Sequence, residues 1–242
     1  MDYSLTYNSP DELQKLMILV EQGNPEAQYH LACSYLTGSK GVEINLDRAL
    51  ELFIMSASAG FPSSIFNLAM YHLSGFKHAR GDNYHHTPNL LEVVKLIKKS
   101  AELGDPLGMA KLGEYYLEGK NGVVQNYLEA FKWLDKSSKY GIADSFYYLG
   151  AMYQLGLGVE KDLIEAHKFL NLTVTYSSTK SEMYEKSIKF RENIENSLSK
   201  IELNEAHDRA LNFNLMPFPE ELKLKLYGTT SVAPVLFNMW SN

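Results

Sequence analysis

Three sets of landmarks recur along this chain at one common spacing. A leucine followed by a small residue appears as Leu31-Ala32, Leu68-Ala69, Leu112-Gly113 and Leu149-Gly150, at steps of 37, 44 and 37 residues. Gly38, Gly75, Gly119 and Gly156 step identically, and so do Gly23, Gly60, Gly104 and Gly141. Independent landmarks that share a period, with the same excess in the second interval, mark a stacked repeat array.

The stretch from Gly104 to Gly141 reads as one complete helix–turn–helix unit. Asp105-Pro106 opens it, since aspartate caps a helix and proline suits the first helical position. Leu112 and Tyr116 share a face, and Gly113 between them lets another helix come close. Gly119 and Gly122 punctuate the turn. The second helix carries Ala130, Trp133, Leu134, Ser137 and Ser138 at the offsets of an amphipathic stripe. Gly141 closes it where a left-handed residue ends a helix. The second helix of unit one places Ala49, Leu52, Phe53, Ser56 and Ala57 at those offsets, and that of unit two Val93, Leu96, Ile97 and Ala101.

The set Ala27, Leu31-Ala32, Tyr35, Gly38, Gly41-Val42, Asp47, Ala49 and Gly60 resembles the Sel-1-like repeat family, a relative of the tetratricopeptide repeat. So do Leu112-Gly113, Tyr116, Gly119, Gly122-Val123, Ala130, Trp133 and Gly141, and then Leu149-Gly150, Tyr153, Gly156, Gly158-Val159, Asp162 and Ala166. The second unit departs most, with His72 for the tyrosine, Val93 for the alanine and a swollen turn; the fourth has Ser178 where a closing glycine would fall. The resemblance implies an all-α fold: a right-handed α-solenoid of about four helix-turn-helix repeats, capped at both ends. The expected boundaries are a capping helix in 1–22 and repeats at 23–60, 61–104, 105–141 and 142–178. Residues 76–89 are a loop inserted in the second repeat, 179–214 a terminal helix pair, and 215–242 a tail. Met183, Ser187, Phe190, Ile194 and Leu198 would face inward in that pair, and Ser199 to Glu202 reads as a capping box.

Each unit buries its stripe only against neighbours, so one continuous array is expected. The formal net charge of −6 argues against nucleic acid as a partner. The single cysteine, Cys33, precludes an internal disulfide and fits a reducing compartment. Neither a leader-like run nor a membrane-length apolar run is seen, so the expected location is cytoplasmic, without membrane insertion.

Catalytic signals are sparse. Ser177 to Lys180 and Ser197 to Lys200 satisfy S-x-x-K, but the partner motifs of penicillin-recognising enzymes are absent. His78, Asp82, His85 and His86 share the inserted loop, where a solvated polar loop is the plainer reading than a metal site. No cofactor and no metal are expected. His30, His72, His167 and His207 fall on helices and read as structural or exposed.

In a solenoid of this kind first helices line the concave surface. The resemblance implies that Tyr29 and Cys33, Phe66 and Met70, Ala110 and Glu114, and Tyr147 and Ala151 face that groove. Several of these positions read equally as core between adjacent first helices. Aromatic and methionine side chains there would anchor a protein or peptide. The leading expectation is a non-enzymatic adaptor that binds a partner in the groove. The alternatives are an immunity-type inhibitor of a cognate toxin or enzyme, and a hydrolase of cell-wall or β-lactam type. The apolar tail 228–242, with Val232, Phe237 and Trp240, would either plug its own molecule or mediate self-association.

Overall fold

The computed structural model describes residues 10–74, 87–179 and 181–216. The expectations for residues 1–8, for most of the inserted loop and for the tail lie outside them. Among the described residues there are eleven α-helices and no strand. They are α1 (Pro10–Glu21), α2 (Pro25–Thr37), α3 (Leu46–Ser58), α4 (Pro62–Ser74), α5 (Leu90–Glu102), α6 (Pro106–Glu118), α7 (Tyr127–Ser138), α8 (Ala143–Leu155), α9 (Leu163–Tyr176), α10 (Glu182–Glu195) and α11 (Lys200–Leu211). The fold is an all-α repeat of helical hairpins: α2/α3, α4/α5, α6/α7 and α8/α9. The helices group into two compact units, one ending at Asp105 and the other spanning Pro106–Pro217.

The second helix of each pair starts at a polar cap. Asn45, Asn89 and Asn126 accept from the backbone N–H of Arg48, Glu92 and Glu129 at 2.9, 3.2 and 3.1 Å. Asp162 accepts from Ile164 and Glu165 at 2.9 and 3.0 Å. Asp47, part of the sequence pattern, lies inside the first turn of α3 rather than at its cap. Before α6, the carboxylate of Asp105 also takes the Ser63 hydroxyl at 2.5 Å.

A serine near the end of the second helix ties each of the first three hairpins shut. Ser56, Ser100 and Ser137 donate to the carbonyls of Pro25, Pro62 and Pro106 at 2.6, 3.0 and 2.7 Å. In the fourth hairpin Thr173 donates instead to Phe169 of its own helix.

Two glycines allow the close approach expected of them. A Cβ on Gly113 would stand 2.6 Å from Leu134 Cγ, and one on Gly150 would stand 3.0 Å from Leu170 Cγ. Trp133, expected in the buried stripe, is only half-buried. It lies at the stripe's edge, where Lys136 Nζ sits 4.6 Å from its ring.

In the first unit the core gathers Leu16, Leu31, Leu36, Leu52 and Phe53. In the second, Leu134, Phe146, Leu149, Met152 and Phe169 form the centre. Each such side chain contributes ~1.5–3 kcal/mol by leaving water. Both α10 and α11 pack on α9, burying Ser187, Ile194 and Ala206 against it. The Ser199–Glu202 capping box is present at the start of α11. Beyond α11, Phe213 stands edge-on to Phe146 at 5.5 Å, and Met216 N–H donates to the Lys139 carbonyl at 2.7 Å.

Candidate functional site

In the first unit the structure moves most of the expected groove residues into the interior. Tyr29 packs against Phe53 and Phe61 at 5.9 and 5.3 Å and is 5% exposed. Phe66 and Met70 are 3% and 1% exposed. Large apolar side chains at these positions are withdrawn from water, which the hydrophobic effect favours. Cys33 alone of this set is half-buried. Burial, with Cys33 beside it, pushes the Tyr29 phenol well above its ordinary range.

The second unit is different. Glu114 and Tyr147 sit on the first helices α6 and α8 within a mixed cluster of charge and aromatic rings; Ala110 is buried and Ala151 half-buried. Glu114 accepts from Lys111 Nζ at 2.7 Å through one oxygen and from Lys120 Nζ at 3.2 Å through the other. Lys120 also pairs with Glu118. Burial opposes the Lys111 ammonium, but the charge and hydrogen bond of Glu114 outweigh it and hold its pKa above the usual value.

Asp144, in the first turn of α8, lies beside this cluster. Burial pushes its carboxyl up to about 7; Lys111 works against that rise and Glu114 adds to it. Tyr148 is raised by burial first, then by the negative charges of Glu114, Asp144 and Glu118. Tyr147 stacks on Phe190 of α10 at 6.0 Å and meets Tyr148 edge-on at 5.4 Å. Lys111, Asp144 and Tyr148 fall outside the two groove positions per first helix that the family resemblance implies. The i, i+3 pairing of Lys111 with Glu114 was the readable signal.

A second polar cluster joins the terminal helices to the last repeat. His167 is fully buried, with Nε2 3.1 Å from Glu195 Oε1 and its ring edge-on to His207 at 5.3 Å. Burial lowers its pKa against the opposing effect of Glu195. Ser197 and Lys200 straddle the break between α10 and α11, both exposed. Among the described residues no group of His, Cys, Asp or Glu is arranged to hold a metal. The loop histidines lie outside them. No helix among the described residues is long and apolar enough to cross a membrane.

Known proteins share this pattern. An F-box protein of Arabidopsis thaliana is 31% identical over 145 residues, 60% of this chain and 33% of that protein. Chitin synthase regulatory factor 3 of Schizosaccharomyces pombe is 25% identical over 182 residues, 60% of this chain and 19% of that protein. The match thus spans a third or less of the length of these curated relatives. Among solved structures, a protective antigen of uropathogenic Escherichia coli displaying an SLR fold has a TM-score of 0.64 at 25% identity. It is matched over 90% of this chain and 44% of its own. A Sel1 repeat protein from Oxalobacter formigenes has a TM-score of 0.57 at 28% identity, over 74% of this chain and 49% of its own. The Sel1 repeat model matches at 25–61, 62–105, 106–139 and 143–172, more than half of the chain. The chain therefore belongs to the Sel1 repeat family.

Proposed function

We propose that this chain is a non-enzymatic interaction module that holds a partner protein or peptide against the first helices of its repeats. Sel1 repeats are protein-interaction modules. The contact residues are Glu114 and Tyr147 on the first helices of the second unit; in the first unit, taken by itself, Tyr29, Phe66 and Met70 are packed inside and Cys33 is half-buried. The single observation that carries this reading is the α6–α8 face. Half-buried tyrosines and partly desolvated charges stand together there, and hot spots combine those ingredients. The lone cysteine suits a reducing, cytoplasmic setting.

The test is affinity capture from the native cell with the tagged full chain. Glu114→Lys and Tyr147→Ala should each reduce recovery of a captured protein while leaving the helical content unchanged. Recovery equal to wild type in both variants sinks the proposal. An inhibitor of the immunity type would use the same surface, and the captured protein would then be a toxin or enzyme silenced by adding the chain. Covalent labelling of Ser177 or Ser197 by a penicillin-type reagent would overturn the non-enzymatic part.

A further inference from the structure

One carboxylate of the second unit is buried without a hydrogen bond. Asp144 keeps only 8% of its surface open. Among the described residues its side chain accepts no hydrogen bond, and Ile142, which caps α8, offers it none. The nearby cations are already engaged. Lys111 is held by one oxygen of Glu114 at 2.7 Å, and Lys120 by the other at 3.2 Å and by Glu118. Glu114, Glu118 and Asp144 together exceed Lys111 and Lys120 by one negative charge when Asp144 is ionised. The residue is largely withdrawn from water while its oxygens still reach the surface, and an unpaired carboxylate so placed is costly to ionise. A bound cation would remove that cost.

The neighbouring rings say which cation. Tyr148 follows Asp144 by four residues on α8, so the two side chains stand on one face of the helix a turn apart, and the charges of Glu114, Asp144 and Glu118 bear on its phenol. Tyr147 stands beside it with centroids 5.4 Å apart, and both tyrosines are half-buried. A planar guanidinium donates two N–H groups to one carboxylate and lies flat on an aromatic face. An ammonium can do the first only through a single point and the second less well. A phosphate or an acidic peptide would meet Glu114 and Glu118 and be repelled.

We propose that the α6–α8 face of the second unit reads arginine: Asp144 takes the guanidinium of a partner peptide, and the Tyr148 ring lies against it. This deepens the binding reading above and rests on it.

The experiment uses the full chain and two probes of the same shape, Nα-acetyl-arginine amide and Nα-acetyl-citrulline amide, the second uncharged. Both are titrated while the Asp144 carboxyl carbon and the Tyr148 ring are followed by NMR. The arginine probe should move both signals, lower the Asp144 pKa, and bind roughly tenfold or more tightly than citrulline, the span of a charge-assisted hydrogen bond. Asp144→Asn should erase the preference. Equal response to both probes, no response to either at their solubility limit, or a preference that survives Asp144→Asn would each overturn the inference. Capture separates this failure from that of the broader reading. A partner retained by Asp144→Asn but lost by Tyr147→Ala leaves the binding face standing and removes the arginine site. A partner retained by both removes both.

Discussion

Gly158 and Gly122 occupy corresponding turns of successive hairpins, and their surroundings make them a matched pair. Both have left-handed backbones, with φ of +70° and +82°. An alanine at either position carries the steric cost of that region, about 1–2 kcal/mol. Their neighbours differ. A Cβ on Gly122 would meet nothing within 4 Å, whereas one on Gly158 would stand 2.6 Å from the carbonyl oxygen of Tyr127 and 2.7 Å from its carbonyl carbon. Those are backbone atoms at the start of α7, so no rotamer change relieves the overlap and the turn must move off its neighbour. Overpacking of that sort costs a further ~1–3 kcal/mol. Gly122→Ala should therefore lose about 1–2 kcal/mol and Gly158→Ala about 2–5 kcal/mol. At ~2–4 °C per kcal/mol for a protein of this size, the second variant should melt several degrees below the first. Thermal and urea unfolding followed by far-ultraviolet circular dichroism would measure both. Hydrogen exchange should show the extra loss in Gly158→Ala concentrated at the first turn of α7. Equal destabilisation of the two variants would refute the argument that this turn is seated against backbone.

Other substitutions follow from burial and charge. Leu112→Ala removes a side chain only 2% exposed and should cost ~2–5 kcal/mol; normal melting of that variant would contradict its place in the core. Asp144 titrates at about 7 in the fold against an ordinary value of 3.8, so between those pH values the folded chain is protonated there and the unfolded chain is not. Stability from this residue is therefore lost as pH rises through that window, and Asp144→Asn, beside Lys111 and Glu114, should raise stability at pH 8 and flatten the dependence. An unchanged urea midpoint at pH 8 would count against an unpaired carboxylate. His167 has a lowered pKa, so the unfolded chain takes up a proton first on acidification and stability falls as pH drops below 6.5. Exchange at α10 and α11 should rise first there, and protection unchanged down to pH 5 would contradict the burial of the ring.

The landmarks that were legible in the sequence are those with a local physical cause. Gly38, Gly60, Gly104, Gly119, Gly141 and Gly156 take positive φ because helices end there, and only glycine does so without strain. Gly113 and Gly150 are small because a leucine of the paired helix fills the space above them. The Asn caps were missed for a different reason. Asn45, Asn89 and Asn126 are capping residues of ordinary type, but asparagine is equally common in turns, and the family pattern marks Asp47, inside the helix, instead. In fact Asp162 falls 36 residues after Asn126, so the last turn is one residue shorter and Thr173, not Val174, inherits the serine position. The grouping into two compact units left no mark in the period, because the period reports each hairpin and not how hairpins associate.

The site was legible only in part, and the residues explain why. Periodicity says that Tyr29, Phe66 and Tyr147 share a helical face, but a first helix has two neighbours and an open side, and spacing cannot tell them apart. Packing decides: Tyr29 meets Phe53 and Phe61, whereas Tyr147 meets Phe190 and Tyr148 and stays half-buried. Asp144 was invisible for a deeper reason. A charged residue in the first turn of a helix is normally stabilising and exposed. This one is withdrawn from water among groups contributed by a different helix, so its chemistry arises from the pairing of α6 with α8. In a repeat array the scaffold is written in the recurring positions and any specificity in the departures from them. Lys111, Glu114 and Asp144 are such departures, which is why the recurring pattern reveals the fold and leaves this charged cluster to be read from contacts between hairpins.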